Sequence, residues 1–253
     1  MSDQFDRRLL HDLRRAQRVA ALTGAGISAA SRIPTFRDAQ TGLWARFRPE
    51  ELATPEAFRR DPRLVWDWYE WRRGLVARAE PNAGHRALVR LEALLPAFAL
   101  ITQNVDGLHQ RAGSRTVIEL HGNIGRNKCF AEDLVVDVIE VVDRQDTDGA
   151  RPPRCPRCGA PLRPDVVWFG ETLPARALAD AEAAAQSCDV FLSIGTSAAV
   201  FPAAQLPLRA RESGAAVVEI NTDATPLTAA ATFSVRGAAD VVLPRLIAAA
   251  WPD

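Results

Sequence analysis

Three short segments of this chain carry glycine, amide, carboxylate and imidazole groups, and each directly follows an apolar run. They are Gly24–Ser28, Thr102–His109 and His121–Asn123. Ligands of open α/β sheets bind beyond the carboxyl ends of the strands. If the apolar runs are strands, the three segments meet in one crevice, where bare glycine backbone can approach a pyrophosphate. The pattern therefore predicts a dinucleotide-binding enzyme.

The elements that position these segments alternate between strand-like and helical patterns. The strand-like runs are continuously apolar, which is typical of parallel strands covered on both faces. They are Val19–Leu22, Phe98–Ile101, Val117–Leu120, Val166–Phe169, Val190–Ile194 and Ala216–Ile220. The helical patterns are Arg86–Leu95, Ala175–Gln186 and an amphipathic first helix with Phe5, Leu9, Leu10 and Leu13. This alternation predicts an α/β fold with a doubly wound, parallel, Rossmann-like sheet.

Two stretches interrupt the alternation and predict a smaller domain. Residues 39–84 are rich in tryptophan and favour helices with turns at prolines, which predicts a helical insert. Residues 124–164 hold three cysteines around a polar, proline-rich segment, which predicts a zinc-ribbon-like insert. The remaining residues, 1–38, 85–123 and 165–253, are predicted to form the Rossmann-like NAD-binding domain.

The composition narrows the class of protein. The 253 residues carry no formal net charge at pH 7, which argues against a dedicated nucleic-acid or anionic-membrane binder. No apolar run approaches the roughly 20 residues that span a bilayer, and the N-terminus lacks the apolar stretch of a secretory signal. We expect a cytoplasmic, monomeric enzyme without nucleic-acid or membrane partners. Lys128 is the only lysine among the 31 lysine and arginine residues.

A cysteine knuckle predicts a structural metal. Cys155-Pro-Arg-Cys158 has the two-residue spacing that lets two thiolates bind one ion. The upstream half of the site is Cys129-Phe-Ala-Glu132, where a second Cys-x-x-Cys would complete it. We predict zinc held by Cys129, Cys155 and Cys158, with Glu132 as the fourth ligand. Asp133 or water in the fourth position, or a metal-free knuckle kept by packing, are the alternatives.

Seven motifs in order make the chain resemble the sirtuin family of NAD-dependent protein-lysine deacylases. The resemblance extends from Arg18 to Leu243. The motifs are Gly24-Ala-Gly-Ile-Ser28, Pro34-Thr-Phe-Arg37, Thr102-Gln-Asn-Val-Asp-Gly-Leu-His109, Leu120-His-Gly-Asn123, Val166-Val-Trp-Phe-Gly-Glu171, Ile194-Gly-Thr-Ser197 and Ile220-Asn-Thr-Asp223.

The resemblance implies a set of NAD-binding residues, and their types suit the task. The first glycine loop would face the pyrophosphate, and a second loop would hold phosphate or ribose. Polar residues after a late strand would bind the adenosine ribose, while Phe36 and Arg37 would fold over the nicotinamide ribose. The full set is Gly24, Ala25, Gly26, Ser28, Phe36, Arg37, Gln103, Asn104, Val105, Asp106, Gly195, Thr196, Ser197, Asn221, Thr222, Asp223 and Ala239.

The resemblance also implies the chemistry. Gln103, Asn104 and Asp106 would form the nicotinamide pocket, and departure of nicotinamide would leave an electrophilic C1′ for the acyl oxygen of the substrate lysine. Asn104 and His121 would be the catalytic residues. His121 would act as general base on a ribose hydroxyl, which requires an imidazole that is neutral near pH 7. The products would be free lysine, nicotinamide and O-acyl-ADP-ribose. His109 would cap its loop, whereas His11 and His85 have no visible partner.

The implied substrate is an acyl-lysine protein that adds an extended strand. The strand would lie along Val167, Trp168, Phe169 and Gly170. The segments around Ala57, Tyr69 and Arg72 resemble the class III branch, which removes negatively charged acyl groups. Tyr69 and Arg72 share a helix face, so they can clamp a distal carboxylate, and the small Ala57 leaves room for a longer acyl chain. Removal of succinyl and malonyl groups is favoured, with deacetylation beside it.

Two alternatives to deacylation stay open at this stage. A protein mono-ADP-ribosyltransferase would use the same NAD pocket with a protein side chain as acceptor. A sensor of NAD or ADP-ribose would bind without turnover. One departure from the family pattern also raises a structural question, because Arg32 stands where the family usually has glycine.

Overall fold

The computed structural model describes residues 5–33, 48–136 and 151–252. Its helices are α1 (Arg7–Arg15), α2 (Pro49–Leu52), α3 (Pro55–Arg60), α4 (Pro62–Arg78), α5 (Ala83–Leu94), α6 (Leu108–Ala112), α7 (Ala175–Ser187), α8 (Leu206–Glu212) and α9 (Ala239–Ala250), with 3-10 helices at Ala25–Ser31 and Ala203–Gln205. Its strands are β1 (Arg18–Thr23), β2 (Ala97–Thr102), β3 (Val117–Glu119), β4 (Gly122–Cys129), β5 (Val135–Val136), β6 (Leu162–Val166), β7 (Val190–Ile194), β8 (Ala216–Asn221) and β9 (Phe233–Arg236).

In the described part of the chain, six strands form one parallel sheet in the order β3-β2-β1-β7-β8-β9. The chain winds outward from β1 in one direction through β2 and β3, and in the other through β7, β8 and β9. This is a doubly wound α/β sheet, as the sequence predicts. The winding reverses between β1 and β7, so a ligand crevice is expected beyond the carboxyl ends of these two strands.

Both faces of the sheet are covered, which explains why its strands are continuously apolar. Within β1, Val19 and Ala21 contribute to the core under α1, α5 and α9, whereas Ala20 and Leu22 contribute to the core under α7 and α8. Successive side chains of a strand point to opposite faces, so a strand between two helical layers needs apolar residues at every position. Full burial of an aliphatic side chain such as Leu22 stabilises the fold by about 1.5–3 kcal/mol.

A second, antiparallel sheet of β5, β4 and β6 lies in the cysteine-bearing part of the chain. It corrects one sequence prediction: the run Val166–Phe169 is not a strand of the parallel sheet. The strand there is β6, which ends at Val166 and pairs with β4. The segment 167–171 that follows is a loop with a turn at Phe169 and Gly170. This segment is apolar although most of it is a loop, because the side chains of Val166 and Trp168 are buried against α4.

Helices α3 and α4 each begin with a capped first turn. Thr54 Oγ1 accepts a hydrogen bond from the backbone N–H of Ala57 (3.1 Å) at the start of α3. Asp61 Oδ1 accepts one from the N–H of Leu64 (2.9 Å) at the start of α4. Each helix has proline in its first turn, where no backbone donor is needed. Helix α4 packs on β4 and β6, so the helical and cysteine-bearing parts share one core.

The turn at Arg32 keeps the shape that glycine favours. Arg32 ends the 3-10 helix at φ +61° and ψ +28°, the left-handed region, and its N–H donates to the carbonyl of Ala29. A side chain in this region costs roughly 1 kcal/mol. The exposed arginine is therefore accommodated by strain in its own backbone and not by a different turn.

Searched over the described ranges, the chain has no helix that is both long and apolar enough to cross a membrane.

Candidate active site

Two glycine loops interlock at the carboxyl ends of β1 and β7. The N–H of Gly24 donates to the carbonyl of Ile194 (3.0 Å), and the N–H of Gly26 donates to the carbonyl of Gly195 (2.8 Å). A Cβ on Gly26 would lie 2.7 Å from the Cα of Gly195, and one on Gly24 would lie 2.8 Å from the carbonyl oxygen of Gly195. The glycines are thus required by the neighbouring loop, a reason that the sequence does not reveal.

Thr196 ties the ends of three strands together. Its hydroxyl accepts a hydrogen bond from the side-chain amide of Gln103 (2.9 Å), which follows β2. Its carbonyl accepts one from the side-chain amide of Asn221 (2.8 Å), the last residue of β8. The hydroxyl of Thr222 donates to Asp223, so this polar turn is ordered by its own side chains. Ser197 is half-buried beside Thr196.

A buried polar cluster lies beyond the ends of β1 and β2. The hydroxyl of Ser28 donates to Asp106 Oδ2 (2.7 Å). The side-chain amide of Asn104 donates to Ser28 Oγ (3.2 Å) and to the carbonyl of Gly24 (3.1 Å). Burial is the main influence on the Asp106 carboxyl and raises its pKa, against the hydrogen bonds from Ser28 and the backbone N–H of Leu108. The cluster joins residues that lie about 80 positions apart in the chain.

His121 is held in one tautomer. Its Nδ1 lies 2.8 Å from the carbonyl oxygen of Gln103. A carbonyl only accepts, so Nδ1 carries the proton and Nε2 keeps its lone pair. Burial lowers the pKa of His121, although the bond to the Gln103 carbonyl partly opposes this. The imidazole is therefore neutral at pH 7, and it is held at the backbone of Gln103, whose side-chain amide donates to Thr196.

His85 and His109 are buried next to the polar cluster of Ser28, Asn104 and Asp106. The sequence shows no partner for His85, but the structure does. His85 is fully buried: its Nδ1 accepts the backbone N–H of Asn82 (3.3 Å), and its Nε2 lies 3.5 Å from Ser28 Oγ. His109 Nε2 lies 2.9 Å from the hydroxyl of Thr23. Burial lowers the pKa of His85 to about 4 and that of His109 to about 3.

Tyr69 and Arg72 lie on the buried face of α4, next to the loop after β6. The hydroxyl of Tyr69 accepts the indole N–H of Trp168 (2.9 Å), and Tyr69 is 1% exposed. The guanidinium carbon of Arg72 lies 5.2 Å from the ring centre of Trp68. Ala57, on α3, belongs to the same core cluster as Tyr69 and Trp168. The predicted acyl-binding residues therefore lie close together on α3 and α4, next to the loop after β6.

The loop 167–171 is anchored by its own backbone. The N–H groups of Val167 and Phe169 donate to the carbonyls of His121 and Ala53, at 3.0 Å each. The N–H of Trp168 donates to Glu171 Oε2 (2.8 Å). Phe169, at 48% exposure, and the exposed Gly170 form the open side of the loop. A peptide strand would have to pair with this loop through groups other than those three N–H donors.

The predicted metal ligands converge. One ligand atom from each of Cys129, Glu132, Cys155 and Cys158 lies within 4.8 Å of every other. Tetrahedral zinc places its sulfur ligands roughly 3.8 Å apart, from Zn–S bonds of about 2.3 Å. Cys129 Sγ and Cys158 Sγ are 3.4 Å apart, so three thiolates and a carboxylate fit one zinc ion. Glu132 also pairs with Arg157 (3.3 Å), which orients its carboxylate.

Two predicted NAD-binding residues, Ala239 and Val105, have other surroundings than the polar cluster. Phe36 and Arg37 lie outside the described residues. Ala239 is the buried first residue of α9, where its backbone packs 3.3 Å from the position a Cβ would take on Gly84. Val105 is half-buried and packs against the core between α4 and the second sheet, and its carbonyl accepts the N–H of Ile124 (2.9 Å).

Comparison with known proteins assigns the chain to a family, and the family match covers the residues of this candidate site. The Sir2 family model matches residues 24–202, which include both glycine loops and the polar cluster. The chain belongs to the Sir2 family. The NAD-dependent protein deacylase of Methylococcus capsulatus is 50% identical over 248 residues, 97% of each chain.

Solved Sir2 structures extend the comparison to the fold. A mutant Sir2 homologue in complex with 2′-O-acetyl ADP ribose is 47% identical, covers 96% of this chain and 95% of its own, and has a TM-score of 0.86. A Sir2 complex with a p53 peptide and NAD⁺ is 32% identical, covers 95% of this chain and 96% of its own, and has a TM-score of 0.81. The Sir2 fold therefore extends over nearly the whole chain.

Proposed function

We propose that this Sir2 protein is an NAD-dependent protein-lysine deacylase. The observation that carries the proposal is the tautomer of His121: its Nδ1 bonds the carbonyl of Gln103, the residue next to Asn104, and this leaves Nε2 as the basic nitrogen. A neutral, fixed imidazole beside a polar pocket suits general-base catalysis at neutral pH. A relative that is 50% identical is an NAD-dependent protein deacylase, which supports deacylation as the activity of this protein. The comparisons do not favour ADP-ribosyl transfer.

The interlocked glycine loops are the proposed pyrophosphate site. Gly24, Ala25 and Gly26, at the start of the 3-10 helix, let the pyrophosphate approach bare backbone, and Gly195, Thr196 and Ser197 lie beside them after β7. The N–H groups of Gly24 and Gly26 bind the second loop and hold the two loops together. Asn221, whose side-chain amide donates to the Thr196 carbonyl, binds the adenosine ribose together with Thr222 and Asp223, with Ala239 at the edge of the site. The Rossmann-like domain that binds NAD comprises 1–38, 85–123 and 165–253, and the inserts 39–84 and 124–164 form the smaller domain.

The residues of the polar cluster divide the chemistry among them. Gln103, Asn104 and Asp106 form the nicotinamide pocket, in which Ser28 holds Asp106 and the backbone of Val105 joins its neighbours. NAD would supply an electrophilic ribose carbon once nicotinamide departs. Asn104, held by Gly24 and Ser28, orients the reacting ribose. His121 Nε2 takes the proton of a ribose hydroxyl, so that its oxygen can accept the acyl group. The acyl oxygen bonds the ribose carbon that nicotinamide leaves, and one water molecule is consumed when the amine departs, so free lysine, nicotinamide and O-acyl-ADP-ribose are the products.

The protein substrate binds at loop 167–171. Its acyl-lysine passes between this loop and α4, where Tyr69 and Arg72 meet the distal end of the acyl group. A guanidinium and a hydroxyl that both donate suit a terminal carboxylate. Succinyl-lysine and malonyl-lysine are therefore the preferred substrates, with acetyl-lysine also used.

Zinc in the cluster of Cys129, Glu132, Cys155 and Cys158 has a structural role. The cluster ties β4 to the turn before β6, and β4 leads back to His121. A zinc with four protein ligands has no open position for substrate, so the ion stabilises the small domain and takes no part in the reaction.

The test is a deacylation assay with matched peptides. The protein is incubated with NAD and acetyl-, malonyl- or succinyl-lysine peptides, and peptide mass and nicotinamide release are followed. His121→Ala should abolish turnover of all three. Arg72→Met should lower kcat/KM for the succinyl peptide by about a hundredfold, because a charge-assisted double hydrogen bond is lost, and leave the acetyl peptide nearly unchanged. Absence of NAD-dependent acyl removal from all three peptides would refute the proposed function.

A further inference from the structure

We propose that Trp168 is a positioning residue for acyl selectivity: its indole N–H fixes the Tyr69 hydroxyl as a hydrogen-bond donor toward the acyl carboxylate. The inference rests on the proposed function and adds a third residue to the clamp of Tyr69 and Arg72. It assigns a side-chain role to a residue whose backbone lies in the peptide-binding loop.

The direction of one hydrogen bond carries the argument. The Trp168 indole nitrogen lies 2.9 Å from the Tyr69 oxygen, and both side chains are at most 2% exposed. An indole N–H can only donate, so the Tyr69 oxygen accepts and its own hydrogen points elsewhere. The guanidinium of Arg72 has no acceptor to offer. A carboxylate between Tyr69 and Arg72 is the group that accepts from both.

The state of Tyr69 supports the same conclusion. Burial raises the pKa of Tyr69 to about 12, against the opposing effects of Arg72 and of the Trp168 hydrogen bond. The hydroxyl therefore keeps its proton at neutral pH and remains able to donate. A succinyl or malonyl group presents an anionic acceptor to it, whereas the terminal methyl of an acetyl group presents none.

The indole itself is held in place from several sides. The guanidinium carbon of Arg163 lies 3.3 Å from the Trp168 ring centre, and the ring of Phe58 lies 5.4 Å from it. Arg163 pairs with Glu171, whose carboxylate also accepts the Trp168 backbone N–H (2.8 Å). Because the ring cannot turn without breaking these contacts, the indole N–H keeps its direction and the Tyr69 hydroxyl keeps its polarity.

The first test compares selectivity in Trp168→Phe, which keeps an aromatic ring and removes the N–H. We expect kcat/KM for a succinyl-lysine peptide to fall about tenfold further than that for an acetyl-lysine peptide, whose own change reports any effect on the peptide-binding loop. Trp66→Phe is the matched control, since Trp66 is a buried indole that packs with Cys129 and Leu162. It should leave the ratio of the two activities unchanged. An equal fall for both peptides in Trp168→Phe would overturn the proposal.

A double-mutant cycle separates positioning from general damage. In a Tyr69→Phe background, Trp168→Phe should cause no further loss of succinyl selectivity, because the hydroxyl through which it acts is absent. A further loss of similar size in that background would contradict the proposal.

A measurement on the unsubstituted protein covers the case in which Trp168→Phe does not fold. The indole ¹⁵N–H resonance that moves furthest upfield in Tyr69→Phe belongs to Trp168, because that substitution removes the acceptor of its N–H. Donation from Tyr69 to a carboxylate makes its oxygen a better acceptor, so this resonance should move further downfield with bound succinyl peptide than with acetyl peptide. Identical positions would overturn the proposal. Failure of the proposed function is separate, since it appears as absent turnover of every peptide by the wild-type protein.

Discussion

At the scale of single residues, His121 shows how one backbone carbonyl defines the tautomer of a proposed general base. The Gln103 carbonyl accepts from Nδ1 and thereby leaves the basic site on Nε2. Burial also disfavours the charged imidazolium and thereby lowers the pKa of His121. The residue type and its place after an apolar run are visible in the sequence. The tautomer and the burial are not, since both depend on a residue 18 positions away.

The pH dependence of the reaction follows from that lowered pKa. His121 acts as a base in its neutral form, and the neutral fraction falls only when the pH drops through the pKa. We expect the acid limb of kcat/KM to lie below the ordinary histidine value of 6.5. A profile measured with acetyl-lysine peptide between pH 5 and 8 checks this. A midpoint above 6.5 on the acid side would contradict the assignment of His121 as the base.

His85 shows what sequence inspection misses at this scale. Its partners are the N–H of Asn82, visible as a helix cap, and Ser28, which lies 57 positions away. The capping spacing of Asn82 and His85 at the start of α5 was the available signal. The contact with Ser28 depends on how α5 packs beside the 3-10 helix, which no local pattern encodes.

At the scale of elements, the accuracy of prediction depended on how many faces a strand buries. Strand β7 has the predicted limits, and β1 and β2 extend one residue beyond theirs at each end, because each is covered on both faces. Strand β6 was displaced in the prediction because Arg163 and Asp165 interrupt its apolar pattern. The edge strand β9 was missed for a similar reason, since Ser234 and Arg236 are exposed. The polar segments after β1, β2 and β7 were placed correctly, because a crevice follows from strand order alone.

The interlocked glycine loops give a sharp prediction. In Gly26→Ala the new Cβ would lie 2.7 Å from backbone of Gly195, so the loops must move apart. We expect affinity for ADP-ribose, measured by calorimetry, to fall by about tenfold or more, with a loss of stability of about 1–3 kcal/mol. Gly74→Ala is the control. It lies inside α4 with 3.5 Å to its nearest neighbour and should stabilise the protein by roughly 0.5–1 kcal/mol. Unchanged ADP-ribose binding in Gly26→Ala would refute the site.

The cysteine cluster makes a second prediction at this scale. Purified protein should contain about one zinc per chain by elemental analysis, and chelation should lower the thermal midpoint by roughly 5–10 °C, because the ion binds only the folded cluster. Cys155→Ser should abolish zinc binding and Glu132→Gln should weaken it. Cys188→Ser is the control, since Cys188 lies in the core under α7 and α8. Protein that takes up no zinc even after its addition would exclude the metal site.

At the scale of the whole molecule, two neutral histidines, His85 on α5 and His109 on α6, are buried next to the polar cluster that contains Ser28. Their rings are 4.9 Å apart, and burial lowers the pKa of His85 to about 4 and of His109 to about 3. The unfolded chain binds protons at these sites near pH 6.5, whereas the folded chain does so only near pH 4 and 3. The unfolded state thus holds more protons in this window, and folding stability must fall as the pH falls from about 6.5.

The acid sensitivity of the fold can therefore be assigned to particular residues. Between the pKa of the unfolded chain and that of the folded chain, each of these histidines lowers the free energy of unfolding by about 1.4 kcal/mol for every unit by which the pH falls. In His109→Gln, the loss of unfolding free energy between pH 6 and 4.5 should shrink by about 2 kcal/mol, as measured by urea denaturation. His11→Gln changes an exposed histidine and serves as the control. Equal acid sensitivity in wild type and His109→Gln would show that His109 is not the source.

The placement of Lys128 has a consequence for the protein's own chemistry. Its side chain is 10% exposed, and its ammonium pairs with Asp133 at 2.6 Å. Activated acyl donors, such as thioesters and acyl phosphates, attack free and accessible amines. A chain whose single lysine side chain is buried and ion-paired presents almost no such target. Among its side chains, the protein therefore presents almost no amine to the acylation that it is proposed to reverse.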